Sequence, residues 1–565
     1  MRPARPDGRL PSVPGRTRRR PHGSEEIPHV SENTPAPDTD VVVVGAGVTG
    51  LYTVHRLRTL GHRVRGFDRA ADVGGVWYWN RYPGARCDVE SFDYSYSFDE
   101  DLQQEWDWSE KYATQPEIMR YLHHVADRFS LRDAYTFETS VRSAELDEDT
   151  LTWTVRTDTG ETVTSRFVVF AVGCLSSAQR PDVPGLDSFA GPSYHTGEWP
   201  HEGVDFTGLR VGVVGTGSSG IQSIPEIASQ ARQLTVFQRS PNYSVPAGNE
   251  PLDDARRRRV KAGYAERRRL ARLSGGGSPF TTYPKKTFEV GEEERRAAYE
   301  KRWQLGGVLY SKTFPDQLVD RAANDAARAF WEEKVRARVD DPAVAELLVP
   351  GDHPIGAKRI VTDSGYFETY NQPHVRLVSL RTRPIERVDA TGVVLADGEH
   401  IALDALVHAT GFDAMTGSVD RIEVRGRGGR TLKEAWAAGP RTYLGLGTDG
   451  FPNFFNLTGP GSPSVMVNVV LAGEQHGDWL ADLLAYMEAH GHRAVEAAPD
   501  AVEDWVRECR DRAGATLLME ADSWYLGANI PGKPRVFMPY VGGFKVYQEI
   551  IDAVAADGYK GFRFS

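Results

Sequence analysis

Residues 41–50 read Val-Val-Val-Val-Gly-Ala-Gly-Val-Thr-Gly, and residues 210–220 read Arg-Val-Gly-Val-Val-Gly-Thr-Gly-Ser-Ser-Gly. Each segment is a β-branched run that enters a G-x-G-x-x-G turn and leaves it through a helix-like stretch. The glycines are Gly45, Gly47 and Gly50 in the first turn and Gly215, Gly217 and Gly220 in the second. Strand, glycine turn and helix in that order separate a dinucleotide-binding turn from a chance glycine triplet. The glycines permit a tight turn and a close approach of backbone to pyrophosphate, which rests on the helix N-terminus. Two such turns on one chain predict an α/β fold with two Rossmann-like dinucleotide-binding domains. They also predict electron transfer between two bound cofactors, which points to flavin-dependent redox chemistry. Between the turns lies FAGPSYHTGEWP, residues 189–200.

The two turns lead into different strand ends. After the first, a helix over Leu51 to Leu60 leads to a strand ending at Asp68. An acid about 20 residues beyond the glycines is the expected partner of an adenosine ribose hydroxyl. After the second, the strand Leu234-Thr235-Val236-Phe237 ends at Gln238, Arg239 and Ser240. A carboxylate there would repel a 2′-phosphate, whereas an arginine pairs with it. The first turn is therefore predicted to take FAD. The second takes NADPH, with Thr216, Ser218 and Ser219 in the turn and Arg239 and Ser240 at the strand end.

A dense run, GGVWYWNRYPGARCD over residues 74–88, comes after the first unit and is unlike a core helix or strand. It reads as a loop laid against a flat ligand, with Gly75, Val76, Trp77, Tyr78, Arg86, Cys87 and Asp88 as candidate cofactor contacts. Trp79 taken alone reads as packing. Far downstream, Ala409-Thr410-Gly411-Phe412-Asp413 follows the apolar strand Ala405 to His408. It resembles the segment by which two-dinucleotide flavoproteins return to the FAD domain.

Composition narrows the class. The 565 residues are 40% hydrophobic and 26% charged, with a net charge of −11. Those values are ordinary for a globular enzyme and lack the basic face of a nucleic-acid binder. Cys87, Cys174 and Cys509 form no C-x-x-C pair, so neither a disulfide framework nor a metal site is expected, and a reducing, cytoplasmic setting is the simpler reading. No apolar stretch approaches the roughly 20 residues that span a bilayer. Residues 1–38, rich in Arg, Pro, Gly and Ser, lack the hydrophobic core of a secretory signal and read as a disordered leader.

FAGPSYHTGEWP fits F-x-G-x-x-x-H-x-x-x-W-P through Phe189, Gly191, His195, Trp199 and Pro200. With GGVWYWNRYPGARCD, GTGSSGIQ, FQRS, GAKRI, FPNFFNLTGPGSPS and SWYLGANIPGKPRVFMPY, it makes the chain resemble the type I Baeyer–Villiger monooxygenases, over everything but the leader. Within that family the likeness is greatest to the steroid and phenylacetone monooxygenases, and GGVLYSKTFPDQL and GAKRIVTDSGY favour the steroid side. The resemblance implies FAD and NADPH as cofactors, a ketone and dioxygen as small-molecule partners, and a monomer. The implied product is an ester or lactone. In the implied reaction NADPH reduces the flavin, the reduced flavin takes up dioxygen as a 4a-peroxide, and the peroxide attacks the carbonyl to give a Criegee adduct. A bulky, aryl-bearing or 20-oxo steroid ketone is the implied substrate.

The resemblance also implies roles for single residues. Arg359 becomes the active-site cation and Asp88 its partner carboxylate. Lys358 becomes a second cation for the 2′-phosphate, and Trp524 a mobile-loop residue that closes over NADP. Without the resemblance, Lys358 and Arg359 read as a surface basic pair. Tyr94, Val141 and Val469 join the cofactor contacts, and Ser464, Val465 and Met466 shape the ketone pocket or simply pack. His195 is read as part of a joint between domains rather than as a catalyst, and Cys174 as a small buried residue without a redox task. A flavin-containing N- or S-oxygenase is the nearest alternative, and a nucleotide-binding redox sensor is the non-enzyme one. The expected domains are an FAD-binding domain built from 39–177 and 413–565 and an NADP-binding domain over 178–412. The latter carries a helical insertion at about 246–355, whose Arg-rich run Asp253 to Leu273 reads as helices with solvated faces.

Overall fold

The computed structural model describes residues 36–565, so the leader expected over 1–38 falls outside the described residues up to position 35. Val41, Val42, Val43 and Val44 are all buried, as a strand covered on both faces requires. Their strand, Thr39–Val44, lies at the heart of an eight-stranded sheet. Its order is Glu423–Arg425, Val141–Asp147, Thr152–Thr157, Thr162–Phe170, Thr39–Val44, Val64–Phe67 and Tyr135–Thr136, with Phe454–Asn456 also paired to Thr162–Phe170. Val41 pairs in parallel with Val64 on one side and Phe167 on the other. The only antiparallel pairings in this sheet involve Thr152–Thr157, the middle of a meander.

A second sheet has five strands, all parallel, in the order Val375–Ser379, Gln233–Gln238, Arg210–Val214, Ala405–His408 and Ser193–His195. Each sheet is the platform on which one glycine turn stands. The chain leaves the first sheet through residues 171–179 and returns through 409–415, and these two passages run antiparallel. Met415 N donates to Cys174 O at 2.9 Å, Asp413 N to Ser177 O at 2.8 Å, and Gln179 N to Gly411 O at 2.9 Å.

Five helices, Asp254–Ala262, Tyr264–Arg272, Glu292–Leu305, Arg321–Arg336 and Pro342–Leu348, occupy the segment expected to be helical. The Arg-rich run forms helices with solvated faces, as expected: no residue of Asp254–Ala262 is buried, while Tyr264, Arg268 and Ala271 give Tyr264–Arg272 one buried stripe at helical spacing. Arg268 is 6% exposed and donates to Ser95 Oγ at 2.8 Å and Tyr96 O at 3.2 Å. Arg267 pairs with Asp93 at 2.6 Å and Glu90 at 2.9 Å. The irregular backbone of residues 90–97 leaves carbonyls and carboxylates without ladder partners, and the fork of an arginine supplies several donors at once. Among the described residues no helix is long and apolar enough to cross a membrane.

Candidate active site

The two turns share one backbone design. Gly45 has φ 110°, and a Cβ there would lie 2.4 Å from Ala171 O; Gly215 has φ 109°, and a Cβ there would lie 2.4 Å from Ala409 O. In both turns the first and last glycines touch: a Cβ on Gly50 would be 1.9 Å from Gly45 O, and one on Gly220 would be 2.3 Å from Gly215 O. The helix Val48–Thr59 starts at Gly47 and the helix Ser218–Ala228 at Gly217, neither with a side-chain cap. Their first N–H groups are therefore open to an anion. Two uncapped helix starts, each walled by glycine backbone, fit the pyrophosphates of two dinucleotides.

Around the first turn, Asp68 Oδ2 accepts from Ala46 N at 2.6 Å and Oδ1 from Ala70 N at 2.8 Å. Burial raises the Asp68 pKa against those two hydrogen bonds. The carboxylate thus fixes the turn to the end of the Val64–Phe67 strand. Gly75 stands opposite Gly47, where a Cβ on Gly75 would come within 2.7 Å of Gly47 Cα. Val76, Trp77 and Tyr78 lie in the short helix Val76–Trp79. Trp77 Nε1 donates to Tyr94 OH at 2.9 Å, and the Tyr78 ring lies 4.6 Å from that of His201. Val141 opens its strand inside the cluster that holds Val42, Val44 and Phe67, and Val469 is the first residue of the helix Val469–His490.

The end of the aromatic run divides in direction. Arg86 is taken by Glu110 at 3.2 Å and Tyr112 O at 3.3 Å. Cys87 is buried, and burial with the Asp88 charge beside it pushes its thiol pKa up. Asp88 faces Arg359.

At the second turn, Thr216 Oγ1 donates to Ser240 O at 3.0 Å, and Ser219 Oγ lies 2.9 Å from Thr196 Oγ1. Ser218 opens the helix, and Arg239 is exposed at the strand end. Burial lowers the Lys358 pKa, the Asp352 carboxylate opposes that, and the like charges of Arg239 and Arg381 add to the lowering. These cations share one region. His195 is buried, and its pKa is lowered by that burial. Gly197 N donates to its Nδ1 at 2.9 Å, while Nε2 lies 3.3 Å from Thr410 Oγ1. That arrangement ties FAGPSYHTGEWP to the returning passage and gives His195 no proton-transfer partner among the titratable side chains of the site.

Between the turns stands a fork of hydrogen bonds. Arg359 Nε donates to Asp88 Oδ2 at 2.7 Å and Nη2 to Asp88 Oδ1 at 2.8 Å, while Nη1 donates to Val465 O at 2.7 Å. Asp88 holds the Arg359 pKa above its ordinary value, yet 30% of the arginine side chain remains exposed. Val465 is held in turn by its neighbour: Ser464, at φ 45°, donates from Oγ to Thr458 O at 2.6 Å and lies 3.0 Å from Cys174 Sγ. Burial pushes the Cys174 thiol up to about 11, so it stays protonated. Val465, Met466 and Trp524 pack in one apolar cluster with Tyr525 and Phe537.

Sequence reasoning missed four residues of this region. Tyr525 is 2% exposed and lies near enough to Arg359 for the guanidinium to oppose the burial that raises its phenol pKa. The Lys312 pKa is lowered by burial and then by the charge of Arg359. Lys533 Nζ reaches Asp413 Oδ1 at 2.5 Å and Ala414 O at 2.7 Å, and Asn529 Nδ2 reaches Phe412 O at 2.7 Å, so the Trp524 loop is tied to the returning passage. The only signal for them was the lysine within GGVLYSKTF and the polar residues of SWYLGANIPGK. A likeness of whole segments does not say which of those side chains turns toward the site.

A family model described as flavin-binding monooxygenase-like matches residues 38–246. A Baeyer–Villiger monooxygenase of Pseudooceanicola batsensis is 44% identical over 525 residues, 92% of this chain and 95% of its own length. A solved structure of an oxidized steroid monooxygenase bound to NADP is 68% identical, covers 93% of this chain and 99% of that one, and superposes with a TM-score of 0.90. A structure of OTEMO in complex with FAD and NADP is 41% identical over 94% of this chain and 100% of that one, with a TM-score of 0.91. Two glycine turns on two sheets, with a charged fork between them, define the class as flavin-binding monooxygenase. Within that class, the chain belongs to the Baeyer–Villiger monooxygenase family.

Proposed function

We propose that this Baeyer–Villiger monooxygenase inserts oxygen beside the carbonyl of a bulky ketone, aryl-bearing or a 20-oxo steroid, with FAD at the first turn and NADPH at the second. The FAD-binding part is then 39–177 with 413–565, and the NADP-binding part 178–412. FAD, when bound, supplies the activation of dioxygen, and NADPH supplies the hydride. The observation that carries the reading is the fork of Arg359 onto Asp88 and Val465 O.

A guanidinium cannot be deprotonated at working pH, so Arg359 presents a permanent positive charge to oxygen atoms that become negative during the reaction. Asp88 occupies one edge of the guanidinium and fixes its plane, leaving N–H groups on the other edges for the ketone oxygen. The Val465 carbonyl connects that plane to Ser464, Val465 and Met466, the residues proposed to shape the ketone pocket. Lys358 and Arg239 hold the 2′-phosphate, and the Trp524 loop shelters the nucleotide and excludes water. The antiparallel passages 171–179 and 409–415 form the joint on which the two halves move, with His195 as part of its packing.

The likeness to a steroid monooxygenase at 68% identity supports the steroid side of the substrate range. The test is mass spectrometry of products from the holoenzyme given NADPH, isotopically labelled dioxygen and a panel of progesterone, phenylacetone and cyclohexanone. An acetate ester of the steroid carrying one labelled oxygen is the expected product. Preference for cyclohexanone would remove the bulky-ketone assignment. N- or S-oxides from amine or sulfide substrates, without any ester, would replace the reaction itself.

A further inference from the structure

We propose that Arg381 is a third cation of the nucleotide subsite, recognising the 2′-phosphate together with Arg239 and Lys358, and that Asp352 holds it in reserve until the phosphate arrives. This rests on the reading of the second turn as the NADPH site. Strand register puts Arg381 there. Ser379 pairs with Gln238 in parallel, so the residues just past each strand end emerge side by side: Arg239 and Ser240 on one, Leu380 and Arg381 on the other. Arg381 Nε donates to Arg239 O at 3.1 Å, and its Nη2 donates to Ser240 Oγ at 3.3 Å. Ser240 is itself fastened to the second turn, because its carbonyl accepts from Thr216 Oγ1 at 3.0 Å. The guanidinium is therefore built into the strand end that distinguishes a phosphorylated ribose from a free one.

Its counter-ion is poised for exchange. Arg381 Nη2 pairs with Asp352 Oδ2, and Asp352 Oδ1 lies 2.6 Å from His353 Nδ1. Asp352 and His353 line a cavity of about 490 Å³ together with Lys358, Asp522, Leu526 and Arg535. The cavity thus opens beside the Trp524 loop, where the nucleotide would lie. Arg381 keeps 46% of its side chain exposed and Asp352 keeps 36%, and a half-exposed pair of this kind contributes little net stability. A phosphate monoester near neutral pH carries close to two negative charges and several strong acceptor oxygens, against one charge on the carboxylate. It therefore displaces Asp352 from Arg381, while the His353 bond keeps the released carboxylate in place. The other acid that Lys358 senses, Asp522, lines the same cavity and pairs with Arg535, not with Arg381.

The test is titration calorimetry of the FAD-loaded enzyme with 2′,5′-ADP and with 5′-AMP, which differ only in the phosphate at issue. Wild type is expected to prefer 2′,5′-ADP. Arg381→Gln should weaken 2′,5′-ADP about tenfold, the scale of a charge-assisted hydrogen bond, and leave 5′-AMP unchanged. Asp352→Asn should tighten 2′,5′-ADP, because the competing carboxylate is gone. Arg381→Lys, which keeps the charge, should retain most of the preference and guards against a variant that folds poorly. Flavin absorbance and the thermal midpoint are read alongside. Unchanged 2′,5′-ADP binding in Arg381→Gln, or equal losses for both nucleotides, overturns the assignment while leaving the NADPH reading intact. A wild type that binds both nucleotides equally overturns the two together.

Discussion

The two glycine turns share a backbone and differ in their surroundings. A Cβ on Gly47 would meet Gly75 Cα at 3.4 Å, whereas a Cβ on Gly217 would meet nothing within 4 Å. At the strand end behind the first turn, Asp68 is half-buried and fastened to two backbone N–H groups. At the same place behind the second, Arg239 is exposed. The first turn is closed over by the Gly74 to Asp88 segment, and the second is open. An enclosed site suits a cofactor that stays through many turnovers. An open one suits a nucleotide that must arrive, donate hydride and leave.

The largest effect expected from this contrast is all-or-none. Gly50→Ala places a methyl group where Gly45 O stands, so the turn cannot close, and purified protein should lack flavin absorbance. Gly217→Ala points into open space and should keep its flavin, with only nucleotide affinity altered. A fully flavinated Gly50→Ala protein would show that the first turn is not closed in this way. Next in size, Arg239→Ala should raise the NADPH KM by roughly 10- to 100-fold, the scale of a lost hydrogen bond to a charged group, and barely change that for NADH. Equal losses with the two nucleotides in steady-state assays would remove the distinction between the two strand ends.

Two smaller effects separate the halves further. Arg268→Ala leaves the buried acceptors of residues 93–96 without donors and should lower unfolding free energy by about 1–3 kcal/mol, read from denaturant midpoints. An arginine on a solvated face would show almost no change. The other is a pH slope, small near neutrality. His476, buried beneath the first turn, accepts from Thr458 N at 3.0 Å and lies 2.9 Å from Tyr547 OH. Burial depresses its pKa from 6.5 to about 3, and that of His408 beside the second turn to about 4. Both are neutral when folded, and the unfolded chain takes up the proton first. Their stability contribution is therefore complete above pH 6.5 and is lost as pH falls toward about 3 and about 4 respectively. Within that window each group adds a slope of about 1.4 kcal/mol per pH unit. His476→Gln should flatten the acid dependence of the denaturant midpoint, and an unchanged slope would show that another group carries it.

How far the sequence reached depends on the range of each interaction. The turns were legible because strand, glycines and helix are consecutive and their spacing alone carries the geometry. The pairing of Arg359 with Asp88 spans 271 positions, and without the family resemblance Arg359 reads as a surface residue. The run Asp253 to Leu273 forms the helices with solvated faces that its charge suggests, but the buried stripe of Tyr264, Arg268 and Ala271 is not written in its composition. Counting charge treats arginine as a surface residue, whereas Arg267 and Arg268 satisfy an irregular loop from the other half of the chain. Arg86 stands in sequence among candidate cofactor contacts, but its guanidinium turns to Glu110, which only the fold brings near. Arg381 has no motif of its own. Its place is set by strand register, and register is not written in any local pattern.

Above all, the role proposed for Arg359 lies in the ketone chemistry and not in the hydride transfer that precedes it. Rapid-mixing spectroscopy of Arg359→Ala holoenzyme, with ester quantified from the same preparation, separates the two steps. NADPH should still bleach the flavin while the rate of ester formation falls roughly 100- to 1,000-fold. Ester formed at the wild-type rate would refute that role for Arg359.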